Sequence, residues 1–113
     1  MHIETAVEQI AAWGEDDWIG LWLIAQYVAD DLEIDDREEG LEATVAIVRG
    51  LLARGFRAGA SPVQNVGVKF VPWRDQDPDA VVAFIRREWM RHDDFPSWGD
   101  PWFAAGRFCR LDA

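Results

Sequence analysis

Apolar residues in this chain recur at three- and four-residue steps as far as Leu52, at steps of two between Phe56 and Val71, and at three- and four-residue steps again from Val81. The first period belongs to helices with one buried face and the second to strands, so the change commits the chain to mixed structure. Before the change, Val7, Ile10, Ala11 and Trp13 predict a helix over about 5–13. Thr5 and Glu8 have capping-box spacing at its start, and Gly14 stands at its end. A second helix is predicted over about 17–32, begun by Asp16 and Asp17. Its inner stripe is Trp18, Leu21, Trp22, Ala25, Val28 and Leu32, widened by Ile19, Leu23 and Tyr27, so it is expected at the centre of the core. A third, over about 38–54, has Asp36 and Glu39 to cap it, a stripe of Leu41, Val45, Val48, Leu51 and Leu52, and Gly55 as its stop.

After the change, Phe56-Arg57-Ala58 and Val66 to Val71 read as two strands of a hairpin, joined through Gly59, Ser61, Pro62 and Asn65. Asp77-Pro78-Asp79 then supplies a carboxylate cap, a first-turn proline and an acid for the dipole, which predicts a helix over about 78–91. Its inner face is Val81, Val82, Phe84, Ile85 and Trp89, and Trp102 to Phe108 are expected to form a last short strand or an irregular tail. The expectation is a compact α+β domain spanning 1–113: three helices, a β-hairpin, a fourth helix and a C-terminal strand, in winged-helix-like order. Trp22, Val48, Leu51, Phe84, Ile85 and Trp89 should be largely buried, while Trp73 or Trp98 is the candidate for an exposed aromatic anchor.

Charge is divided as sharply as period. Residues 1–42 hold thirteen of the twenty-one carboxylates and one of the eleven Lys and Arg, so they carry −12 and the remainder +2. Such a surface repels nucleic acid and anionic lipid and attracts basic partners. The third helix, which would read DNA in a winged helix, opens with Glu38, Glu39 and Glu42, where phosphate contact needs Lys and Arg. Tight nucleic-acid binding is therefore not expected. Arg49, Arg54, Arg57 and Lys69 lend the hairpin side some positive character, enough to neutralise neighbouring acids.

The residues offer little for catalysis. His2 and His92 lack metal-site spacing, and the single cysteine, Cys109, admits no internal disulfide. Ser61 and Ser97 have no histidine close in sequence, and Gly55, Gly59 and Gly67 are too spread to cradle a phosphate. No catalytic residue, metal or cofactor is expected. The longest apolar stretch, Trp18 to Val28, is too short to span a bilayer. Acids stand where a signal peptide would have bases, so a cytoplasmic location is expected.

Leu51-Leu52-Ala53-Arg54-Gly55, Phe70-Val71-Pro72-Trp73, Glu88-Trp89 and Trp102-Phe103 follow one another in a pattern that resembles a group of small bacterial proteins with winged-helix-like layout. Every element of that pattern is structural, so the resemblance implies a fold rather than a task. In size and charge the chain also resembles immunity proteins of bacterial toxin systems. That resemblance implies a non-enzymatic inhibitor, monomeric or weakly dimeric, that occludes the active site of a basic toxin. The expected contact surface is Asp30, Asp31, Glu33, Asp35, Asp36, Glu38, Glu39 and Glu42. A winged-helix transcriptional regulator and an acidic mimic of DNA are the alternatives.

Overall fold

A computed structural model describes residues 3–60, 70, 72–92 and 101–106. In chain order the elements are α1 (Ile3–Trp13), β1 (Ile19–Gly20), α2 (Leu21–Asp30), α3 (Arg37–Ala53), β2 (Arg57–Gly59), α4 (Pro78–Arg91) and β3 (Trp102–Ala104). The fold is α+β: four helices and a three-stranded antiparallel sheet of order β1-β3-β2. Phe103 sits at the centre of that sheet, opposite Ile19 on one side and Ala58 on the other.

The helix at the heart of the core is α3, not the second helix as the width of its apolar face suggested. Ala43, Thr44, Val45, Ile47, Val48 and Leu51 are all buried, because α1, α2 and α4 each pack on α3 from a different side. Its crossing with α1 is close. A Cβ at Gly50 would stand 2.6 Å from Val7 Cγ2, so a larger residue there would force the helices apart. Asp36 caps α3 as expected, its side chain accepting the Glu39 N–H at 2.9 Å. At the other end Gly55 takes φ +95°. The Phe56 N–H donates to Leu51 O and the Gly55 N–H to Leu52 O, both at 3.1 Å. This is the Schellman arrangement, with buried Phe56 folding back on buried Leu51.

Three expectations for the N-terminal half need correction. The first helix begins by Ile3, which leaves Thr5 inside it rather than at its cap. Gly14 does follow that helix, but for lack of space rather than for a left-handed turn: a Cβ there would meet the Phe56 ring at 2.4 Å. The second helix starts at Leu21, not near 17, because Ile19 and Gly20 pair with β3 and the Leu21 N–H donates to Pro101 O at 3.2 Å. Asp17 accepts the N–H of neighbouring Trp18 instead of capping α2.

The shortened helix also turns its faces. Leu21, Ile24, Ala25 and Val28 form its buried stripe, and Trp22, expected inside, is 43% exposed. Of the other expected core residues, Val48, Leu51, Ile85 and Trp89 are buried, while Phe84 is only half-buried beneath Trp73, their rings 4.9 Å apart.

The first predicted hairpin strand is present as β2. Most of the second, Val66 to Lys69 and Val71, lies outside the described residues; at its end Pro72 bridges Gly59 in antiparallel fashion. Gln76 then acts as a strand substitute on the edge of β2. Its Oε1 accepts the Ala58 N–H and its Nε2 donates to Ala58 O, each at 2.8 Å. Asp77 caps α4 by accepting the Asp79 N–H at 3.1 Å, with Pro78 in the first turn. Among the described residues no helix is long and apolar enough to cross a membrane.

Candidate acidic docking face

All eight carboxylates singled out from the sequence are exposed. They follow the chain round one corner, from the last turn of α2 through residues 31–36 to the second turn of α3. Their local circumstances fall into two groups.

Asp36, Glu38, Glu39 and Glu42 sit where acids help the fold. Asp36 is the α3 cap, and Glu38 and Glu39 lie in the first turn, at the positive end of the helix dipole. Glu42 faces α4, and Arg86 donates to both of its oxygens, the Nη2–Oε1 bond measuring 3.0 Å. That hydrogen bonding, reinforced by the guanidinium charge, holds the Glu42 carboxyl below its usual range and the Arg86 guanidinium above its own.

Asp30, Asp31 and Glu33 sit where acids do not, while Asp35 lies just before the α3 cap, toward the positive end of that helix. Asp30 closes α2 and Asp31 is its C-cap, with no basic residue in the last turn to meet the negative end of the dipole. Asp30 accepts a hydrogen bond from the Gln26 amide one turn back. Glu33 has φ +54°, a left-handed conformation that Gly or Asn takes far more readily. The turn it makes brings the Ile34 N–H to Val28 O at 3.2 Å and folds the chain back under α2. Among the described residues only Glu42 of the eight joins an ion pair. The other cations near α3 are occupied elsewhere: Arg49 meets Asp79 at 2.9 Å and Arg54 meets Glu8 at 3.8 Å.

Arg37 is the basic residue within the acidic corner; although exposed, it reaches across to the end of α4. Its guanidinium donates to the backbone oxygens of Trp89 and His92 and lies 5.6 Å from the Trp89 ring centroid. It therefore ties the start of α3 to the end of α4. Beneath it a cavity of about 220 Å³ opens between α2, α3 and α4, with Asp35 and Asp36 at its margin. No sequence spacing points to that cavity, since Thr44 and Trp89 in its wall belong to different helices.

Among the described residues no three His, Cys, Asp or Glu side chains converge to hold a metal ion. Trp73, one of two proposed aromatic anchors, is half-buried; the other, Trp98, lies outside the described residues, as do His2, Ser61, Lys69, Ser97 and Cys109. Compared with protein-family models, with curated proteins and with solved structures, the chain matches none.

Proposed function

We propose that this protein is a non-enzymatic cytoplasmic inhibitor that uses the α2–α3 corner to dock on a basic protein, in the manner of an immunity protein covering a toxin's active site. One observation carries the reading: Asp30, Asp31, Glu33 and Asp35 are exposed and free of ion pairs among the described residues, and the first three stand at the negative end of α2 or on a left-handed turn, where a negative charge does not help the helix. Solubility alone is served by acids anywhere on the surface. Acids at the wrong end of a helix and at a left-handed position are costly for folding, and such local cost marks residues retained for another task. An enzyme that binds nucleic acid presents a basic site, and a concentrated acidic corner both steers it in and complements that site.

A second observation opposes the winged-helix regulator. Glu38, Glu39 and Glu42 are exposed along the opening turns of α3, the surface that such a regulator would turn toward phosphate.

The test is affinity capture from the native cell, run in parallel with the parent and with a variant carrying Asp30→Asn, Asp31→Asn, Glu33→Gln and Asp35→Asn. The reading predicts a basic protein enriched by the parent and lost with the variant. Equal capture by both places the contact elsewhere, and a site-specific duplex-DNA complex of nanomolar affinity at physiological salt replaces this reading with the regulator.

A further inference from the structure

Three large apolar side chains stand exposed among the described residues: Trp13 at 41%, Trp22 at 43% and Met90 at 80%. Their surroundings differ. Met90 lies among Arg86, Arg87 and Arg91, and Trp22 has no charged residue within four positions on either side. Trp13 ends α1 and is followed at once by Glu15, Asp16 and Asp17, all exposed. The chain turns tightly there, with the Glu15 N–H donating to Ala12 O and the Asp16 N–H to Trp13 O, both at 3.3 Å. These acids repeat the misfit seen at Asp30 and Asp31. They follow the negative pole of α1, whose last turn holds no basic residue, and none of them joins an ion pair among the described residues.

One ring pair links the two groups of acids. Trp13 packs edge-on against Tyr27 of α2, with centroids 5.8 Å apart and planes at 71°. Tyr27 is half-buried, and Asp30 and Asp31 follow it at the three- and four-residue steps that share one side of a helix. The Asp31 N–H donates to Tyr27 O at 2.8 Å, which holds that register to the end of the helix. A half-exposed indole therefore stands with carboxylates after it on its own chain and beside its ring partner.

That surface selects a cation. Aromatic faces attract positive charge, and carboxylates add to the attraction. Arginine suits it better than lysine. A guanidinium is planar and weakly hydrated, so it stacks on a ring while its N–H fork meets a carboxylate; an ammonium holds its water more strongly.

We propose that the Trp13–Tyr27 pair receives an arginine side chain of a basic protein, its guanidinium lying against the Trp13 indole and its charge balanced by the neighbouring carboxylates, Asp16 and Asp31 first among them. The inference rests on the basic-partner reading above and extends that contact surface from the α2–α3 corner to the end of α1.

Blocked tetra-arginine is the probe and blocked tetra-lysine the control of equal charge. The readout is the Trp13 indole N–H resonance, identified by its disappearance in Trp13→Phe. Tetra-arginine should shift it saturably and bind at least about threefold more tightly than tetra-lysine. Trp13→Leu should weaken tetra-arginine about two- to fivefold, the value of an exposed cation–π contact, and leave tetra-lysine nearly unchanged. Asp16→Asn with Asp31→Asn should weaken both peptides more than Glu4→Gln with Asp75→Asn, which removes the same charge elsewhere. Should Trp13→Leu fail to fold, the parent titrations and the Asp16, Asp31 pair still decide. An unmoved Trp13 resonance, or equal affinity for the two peptides, overturns the proposal. A resonance that moves on dilution of the protein alone means that a second copy covers this face, and overturns it too. A captured basic partner lost with the Asp30, Asp31, Glu33, Asp35 variant but retained in full by Trp13→Leu overturns this inference and leaves the basic-partner reading standing. A Trp13-dependent preference for tetra-arginine with no basic protein captured does the reverse.

Discussion

Asp77 and Asp79 begin α4, whereas Asp30 and Asp31 end α2: the same side chain stands at opposite poles of a helix dipole. At the α4 start the acids do local work. One caps the free amides, the other meets both the positive pole and Arg49, and a proline sets the backbone between them. At the α2 end no cation meets them, Asp30 has only the Gln26 amide one turn back, and three residues on Glu33 adopts a left-handed backbone. The contrast teaches that net charge is a poor guide to which acids matter for function. Within the acidic segment, Asp35 to Glu42 stand at the favourable end of α3 or in an ion pair, and Asp30 to Glu33 have no such support from the fold.

The largest effect tests the scaffold under both groups. Trp89→Ala should cost about 3–5 kcal/mol in denaturant unfolding, since Trp89 is buried and supports both the Arg37 contact and the α3–α4 packing. Trp22→Ala, at 43% exposure, should cost less than half as much. Equal losses would mean that the two sides of the core are not distinguished in this way.

Next come the caps. Asp36→Ala and Asp77→Ala should each cost about 1 kcal/mol. Asp30→Asn with Asp31→Asn should instead be neutral or stabilise by about 0.5 kcal/mol, because two charges leave the negative pole of α2. A clear loss of stability from the second pair would show that those acids serve the fold after all.

Glu33→Gly sharpens the same point. Relief of the left-handed backbone outweighs the added freedom of the unfolded chain, for a net gain of about 0.5 kcal/mol.

The smallest effect is a pH dependence. Arg86 holds Glu42 below its ordinary value of 4.5, chiefly through the hydrogen bond. As the pH falls, the unfolded chain therefore takes up this proton before the folded one. The stabilisation is complete above the ordinary value and is lost as pH falls through the lowered folded value. Arg86→Gln should melt below the parent at pH 7, and the two melting curves should converge in acid. A gap that persists in acid would assign Arg86 a packing role instead.

Much of this was legible in the sequence, and the reasons are local. Asp36 and Asp77 lie within three residues of the amides they cap, and Gly55 follows directly on the helix that it stops, so short spacings were sufficient. β1 was not legible. Ile19 and Gly20 continue an apolar helical stripe, and what makes them a strand is Phe103 and Trp102, more than eighty residues away. Misplacing that boundary turned α2 and put Trp22 inside. The acidic corner was visible as composition, but its division into two groups required helix ends and the Glu33 backbone. The cavity was invisible, since only the packing of α3 on α4 brings Thr44 and Trp89 together.

The central claim concerns encounter between the acidic corner and a basic partner, and association kinetics measure it most directly. With the captured partner, the rate for the parent should fall steeply as salt rises, because steering is screened within a Debye length of about 8 Å at physiological ionic strength. The Asp30→Asn, Asp31→Asn, Glu33→Gln, Asp35→Asn variant should associate more slowly at low salt, with a nearly flat salt dependence, while remaining as stable as the parent. Equal rates for the two proteins across the salt range would contradict the account and leave the acidic corner without a role in binding.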